Sequence, residues 1–378
     1  MTKIKFKPRI SLFEDFENEA FLTGQLITYI GNKRKLLNFI GGVLRLIQKD
    51  LNKDKLDILD GFSGSGVVAR YFKKYSKKLY VNDLELYSEI INKCYLSNQP
   101  EIDLKILQEN IDWLNSIKLK SRKKGIIAKL YSPKNDKQIE IGERVFYTNT
   151  NARIIDNIRA AIDKFPTAER HLYLAPLLSE ASIHANTSGV FKGFYKNSET
   201  SKGQFGGNAK NCLQRITKEI ELPVPILSDF NCECQIFKKD TNQLVKEISE
   251  IDVAYFDPPY NQHPYGSNYF MLNVIADNKK PKEISNVSGI PKNWNKSSYN
   301  SKKSIHECFE NLIAATNSKY IVVSYSSEGF LNKKEVEQLL KKYGSFKIVE
   351  KNYNAFRGSR NLHNRNKSVK EYLFVLKK

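Results

Sequence analysis

The sequence predicts an α/β fold: a Rossmann-like sheet with helices on both faces, built from the two ends of the chain and interrupted by an inserted, mainly helical segment. Three observations carry this. A strand, a glycine turn, a helix and a second strand follow one another between Lys55 and Asp83. Strand and helix patterns return after Cys234, and between about residues 100 and 235 no such alternation is visible. Consecutive strand, helix, strand units make parallel sheets.

Taken in order, Leu26 to Ile30 reads as a short extended entry. Leu36, Leu37, Ile40, Val43, Leu44, Leu46 and Ile47 then recur at helical spacing after Gly31-Asn32-Lys33. Lys55 to Leu59 is an apolar strand, Gly61 to Gly66 a tight turn, Val67 to Lys73 a helix, and Lys78 to Val81 a strand that ends at Asn82-Asp83. The middle of the chain carries a basic stretch at Lys118 to Lys124, one long helical pattern from Asn151 to about His184, and a Gly, Asn and Lys rich segment from Asn186 to Lys210. Strands are then expected at Cys234 to Phe237, Val253 to Phe256 and Tyr320 to Ser324, with a helix at Ile305 to Thr316. Phe346 to Val349 and Glu371 to Leu376 have the spacing of a terminal hairpin. The sheet therefore takes residues 1–100 and 235–378, and the insert 101–234.

The chain has 378 residues and a formal net charge of +20. With 40% hydrophobic residues it is a folded chain, so the surplus charge points to a polyanionic partner. Three segments hold much of that surplus. Nine Lys or Arg face three Asp or Glu over 104–138, seven face one over 278–303, and nine face one over 341–370. Aromatics interleave them (Tyr131, Trp294, Tyr299, Tyr353, Phe356), which suits phosphate contact and base stacking better than lipid. No apolar run reaches 18 residues and the first 16 residues have no signal-like pattern, so a soluble cytosolic protein without membrane contact is expected. The five cysteines and five histidines are scattered, which predicts reduced thiols and no metal site.

Two motifs carry chemistry. Asp60-Gly61-Phe62-Ser63-Gly64-Ser65-Gly66 closes a strand and opens a helix, where glycines let the backbone turn sharply and approach a cofactor. Gly64-x-Gly66-x-x-Ala69 also satisfies the dinucleotide fingerprint, with Asp83 as the acidic residue 17 beyond Gly66, so a nicotinamide enzyme is a rival reading. The second motif, Asp257-Pro258-Pro259-Tyr260, follows the strand Val253 to Phe256. The prolines fix φ and leave carbonyls free to accept hydrogen bonds. A carboxylate, rigid carbonyls and an aromatic wall suit a planar ring with an exocyclic amine, such as adenine. A hydride-transfer site needs no such turn.

With these motifs the chain resembles the S-adenosylmethionine-dependent DNA N6-adenine methyltransferases, the class of the DNA adenine methylases and restriction-system modification enzymes. Tyr29 to Leu37 is similar to that family's N-terminal cofactor motif, Asp60 to Gly66 to its glycine motif and Asp257 to Tyr260 to its catalytic motif. Ser324-Tyr325-Ser326 and Tyr353 to Arg360 resemble its later strand motifs. The resemblance covers about 25–95 and 234–378, and the insert falls where the class carries its target recognition domain. Asn151 to Asp156 and Ala185 to Gly189 resemble segments of one modification-enzyme subgroup.

The resemblance implies S-adenosylmethionine as cofactor, held by Tyr29, Gly31, Lys33, Asp60, Phe62, Ser63, Gly64, Gly66, Asp83, Asp240, Thr241 and Asp257. Lys33 would lie near the methionine end, Asp83 at the ribose hydroxyls and Asp240-Thr241 beside the adenine. Asp257, Pro258, Pro259 and Tyr260 would be catalytic. Tyr260, Lys279, Lys280, Tyr353, Phe356, Arg357 and Arg360 would meet the substrate. Double-stranded DNA and a cognate restriction endonuclease are the implied partners. An RNA or protein-amide methyltransferase, an inactive DNA-binding homologue and a dehydrogenase remain alternatives, separable by methyl transfer and by binding of S-adenosylmethionine or NAD.

Overall fold

The computed structural model describes residues 17–121, 124–207, 210, 212–354 and 368–378. Its elements in chain order are α1 (Leu37–Leu51), β1 (Leu56–Asp60), α2 (Val67–Lys73), β2 (Ser76–Asn82), α3 (Leu86–Tyr95), α4 (Leu104–Ile117), α5 (Asn149–Ile162) and α6 (His171–Ile183). After them come β3 (Glu233–Phe237), β4 (Ile251–Phe256), α7 (Phe270–Asp277), α8 (Ile305–Ala315), β5 (Ser318–Ser326), α9 (Lys333–Leu340), β6 (Ser345–Asn354) and β7 (Ser368–Lys377), with shorter turns between.

The strands form one sheet in the order β3-β2-β1-β4-β5-β7-β6. Pairing is parallel from β3 to β5. β7 runs antiparallel between β5 and β6. Phe346 faces Leu376 and Val349 faces Leu373, the terminal hairpin expected from the sequence. The chain leaves β1 toward β2 and β3 on one side, and β4 toward β5 on the other. β1 and β4 are therefore neighbours whose connections diverge, and an open parallel sheet leaves a crevice at the carboxyl ends of such a pair.

All six residues of β4 are buried, as expected of a central strand covered on both faces. Val253 and Tyr255 pack with Ile40, Val43, Leu44 and Phe72 of α1 and α2. Ala254 and Phe256 point the other way, toward Phe309 and Leu312 of α8 and Leu339 of α9. The helix expected over Val67 to Lys73 has those bounds, and Gly66 enters it at φ 75°.

Two expectations change. Leu26 to Ile30 forms no strand but crosses the molecule as an irregular loop. The single long helix expected from Asn151 to His184 is two, α5 and α6, separated by Asp163 to Arg170. Pro166 sits in that break; it has no N–H to donate and disfavours helical geometry in Phe165 before it. The helices of 101–234 are continuous with the catalytic side. Leu107, Ile155, Leu174 and Leu178 share one buried cluster with Tyr87, Ile91 and Tyr95 of α3 and with Phe270 to Ala276 of α7. No helix among the described residues is long and apolar enough to cross a membrane.

Candidate active site

The crevice at the ends of β1 and β4 is an open cleft of about 880 Å³. It collects residues that lie far apart in sequence: Tyr29, Gly31 and Lys33; Asp60, Phe62, Ser63 and Gly64; Asp83; Asp240 and Thr241; Asp257 and Pro259.

Its floor is the turn after β1. Gly64 has φ 52°, and a side chain there would meet the Tyr29 ring at 2.6 Å, so only glycine lets the turn pass beneath Tyr29. Asp83 holds the turn from the next strand end: its carboxylate accepts from the Gly64 N–H at 2.8 Å and the Glu85 N–H at 2.9 Å. Burial pushes the Asp83 carboxyl up to about 6 against those hydrogen bonds. Thr241 donates to the Gly61 carbonyl at 2.9 Å and accepts from Asn82, which fastens the segment after β3 to the ends of β1 and β2.

Asp60 ends β1 fully buried at the cleft. Among the described residues neither of its carboxylate oxygens meets a donor in full hydrogen-bond geometry, although the Phe62 and Ala69 backbone N–H groups approach it. Burial, with Asp257 and Asp83 nearby, holds its carboxyl well above the usual range. A buried acid held this weakly is costly unless a ligand supplies a stronger donor.

Asp257 leaves β4 directly into the cleft. Lys33 reaches it from the loop before α1, with Nζ 3.1 Å from Oδ1 and 2.6 Å from Glu371 Oε1. Burial opposes a charge on Lys33, but the Asp257 and Glu371 carboxylates outweigh it and hold its pKa well above the ordinary value. Burial pushes Asp257 up to about 7, Lys33 pulling it down and Glu371 pushing it up. Tyr260 packs edge-on to Tyr325 at 5.7 Å, and Lys33 Nζ lies 5.7 Å from its ring centroid. The Tyr260 carbonyl accepts from the Phe330 N–H at 2.9 Å, so the loop is fixed beyond its prolines.

Other expected residues lie elsewhere. Gly66 shapes the entry to α2 and Pro258 and Tyr260 flank the cleft lining. Lys279 and Lys280 sit on the surface after α7, Lys279 pairing with Asp277 at 3.0 Å, and neither lines the cleft. Tyr353 is on β6, its side chain outside the described residues, as are Phe356, Arg357 and Arg360.

Sequence reasoning missed several residues that the fold brings in. Tyr269 donates no more than its own ring to a stack with Tyr29, 4.8 Å between centroids, but its hydroxyl accepts the Ile30 N–H at 2.8 Å. Tyr265 stacks on Tyr29 at 5.0 Å and donates to the Ile30 carbonyl at 3.1 Å. The loop carrying Tyr29 to Lys33 is thus clasped by the turn that follows Asp257. Tyr299, edge-on to Phe62 at 5.2 Å, and Asn295 complete the wall from the segment between α7 and α8. Glu371 had a legible signal: Val369, Glu371, Leu373 and Val375 share one face of a strand, and an acid in an inward-facing apolar row must have a partner.

Residues 29–339 match the family model described as D12 class N6 adenine-specific DNA methyltransferase. The chain belongs to this family. As such it is a DNA N6-adenine methyltransferase, and the methyl donor implied by the family is S-adenosylmethionine. The methyltransferase is 31% identical over 362 residues to the type II methyltransferase M.NlaIII of Neisseria lactamica, covering 93% of this chain and 99% of that protein. It is 31% identical over 359 residues to the type II methyltransferase M.CviAII of Paramecium bursaria Chlorella virus 1, covering 93% and 98%. The modification methylase StsI of Streptococcus sanguinis is 28% identical over 367 residues, covering 93% of this methyltransferase and 52% of StsI.

Proposed function

We propose that this methyltransferase is the modification enzyme of a restriction-modification system, acting in the cytoplasm on a flipped-out adenine at a short site in double-stranded DNA, with a cognate endonuclease that reads the same site. The observation that carries the chemical part is the position of Asp257, one residue past β4, in the same cleft as the glycine turn that ends β1.

The residues present fit S-adenosylmethionine. Asp60 offers two buried oxygens that no donor among the described residues engages in full hydrogen-bond geometry, suited to an ammonium group, and the Gly64 turn allows close approach of backbone. Asp83, whose oxygens each take one N–H and retain a lone pair, would receive ribose hydroxyls. Phe62, Asp240 and Tyr299 would border the adenine. S-adenosylmethionine supplies an electrophilic methyl group on a sulfonium. Asp257 and the Pro258 carbonyl accept the two N–H bonds of the target amine, which turns its lone pair out of ring conjugation and toward the cofactor side of the cleft. Their dipoles match the positive charge that develops on nitrogen. Tyr260 stacks on the base, which must leave the duplex to enter.

The test is transfer of labelled methyl from S-adenosylmethionine to unmethylated genomic DNA, followed by nucleoside digestion and mapping of modified positions. Label in N6-methyladenine at one short recurring site is expected. Label in RNA or protein alone would overturn the substrate, and modified adenines without a common site would overturn the modification role.

A further inference from the structure

Glu371 lies on β7, beyond the matched residues 29–339 and more than a hundred residues after the Asp257 motif. Its side chain is fully buried. Oε1 accepts from Lys33 Nζ at 2.6 Å and from Ser324 Oγ at 2.6 Å, and among the described residues Oε2 has no hydrogen-bond partner. One ammonium therefore serves two carboxylates, Glu371 on one side and Asp257 on the other. Stability does not account for this. Desolvating such a group of charges can cost as much as it returns, and apolar side chains of similar volume often pack as well. What the arrangement does provide is direction. Lys33 is long and flexible, and Glu371 fixed by Ser324 leaves its ammonium one place to sit, against Asp257.

We propose that Glu371 is a positioning residue for methyl transfer: it anchors Lys33 against Asp257 and so sets the orientation and charge state in which Asp257 meets the target amine. This rests on the methyltransferase reading of the cleft. An ionised Asp257 is the stronger acceptor for the amine N–H, and a neutral carboxyl turns an O–H toward the amine as well, so activity falls as pH drops through the pKa of Asp257. The charged and titratable groups facing Asp257 are Lys33 from the loop before α1, Asp60 at the end of β1, Tyr255 on β4, Tyr260 and Tyr265 after it, and Glu371 on β7. Within that set Lys33 and Glu371 act on Asp257 with opposite signs.

The pH profile of kcat for transfer to adenine in DNA tests the proposal. Glu371→Gln preserves shape and the contacts to Ser324 and Lys33 but removes the negative charge, so the acid limb should move to lower pH by about one unit. Lys33→Met should move it to higher pH by a similar amount. Glu371→Ala, which frees Lys33, should lower kcat at least about tenfold while the Kd for S-adenosylmethionine, read by calorimetry, changes less than about threefold. The calorimetry also reports whether each variant folds. An acid limb in Glu371→Gln that stays in place, or moves upward as in Lys33→Met, would overturn the proposal. Should Glu371→Ala fail to fold, the two opposed shifts still decide. Absence of adenine methylation by the unaltered enzyme would instead overturn the reading of the cleft.

Discussion

In the proposed mechanism the carboxylate at position 257 is the acceptor on which transfer depends, while the glycine turn and Asp83 hold most of the cofactor. Asp257→Ala should therefore lower kcat at least a hundredfold while sparing affinity for S-adenosylmethionine, as read by steady-state kinetics beside calorimetry. Full activity in that variant would remove Asp257 from the mechanism. Gly64 makes the converse prediction. Alanine there must adopt φ 52° and displace the Tyr29 ring, a strain of about 1–3 kcal/mol, so Gly64→Ala should weaken cofactor binding about tenfold or more and lower the Tm. The residues around Asp257 divide by how locally their reason is written. The glycine turn and the Asp-Pro-Pro-Tyr motif are contiguous, and turn chemistry makes them legible in one dimension. Lys33, Ser324 and Glu371 meet only because β7 lies beside β5, a long-range pairing that no local pattern states. An acid on an apolar strand face signals that a partner exists, without saying which.

At the scale of elements, the loop from Tyr29 to Lys33 has no regular structure and is shaped by what clasps it. Tyr265 and Tyr269, four residues apart, hold both backbone polar groups of Ile30, and their rings stack on Tyr29. The double change Tyr265→Phe and Tyr269→Phe keeps the stack and removes both hydrogen bonds. It should raise the KM for S-adenosylmethionine several-fold, and a KM unchanged within error would mean that stacking alone orders the loop. Elements bordered by the glycine turn, β1 and α2, are readable because periodicity and turn residues agree. The run from Asn151 to His184 reads as one helix because apolar residues continue across Pro166, spaced on one face before it and buried nearly all round after it. The break falls at Pro166 while α6 runs unbroken through Pro176, a difference that side-chain periodicity does not register. The segment between α7 and α8 reads as a basic loop, yet Arg144 binds it to the insert by donating to the carbonyls of Ser285, Asn286 and Val287. Asn295 is fixed at the cleft by donating to the Leu84 carbonyl and the Glu85 carboxylate, and Tyr299 by donating to Asn242.

The whole molecule joins a sheet whose switch point forms the cleft to a second apolar cluster, built by helices against α3 and α7. Apolar residues of α4, α5 and α6 are continuous with those of α3 and α7, so these five helices share one buried cluster. Net charge +20 gives the chain an electrostatic attraction to DNA before any base is read. Replacing Lys279 and Lys280 by alanine should weaken DNA binding at low salt and flatten the slope of log K against log salt by about one for each phosphate contact removed. An unchanged slope would assign those lysines to solvated surface. The most direct measurement of the central claim is nucleoside analysis of plasmid DNA from a host without adenine methylation of its own, expressing either the unaltered chain or Asp257→Ala. N6-methyldeoxyadenosine with the unaltered chain and none with the variant is the predicted result, whereas its absence from both, or equal amounts in both, would contradict the account.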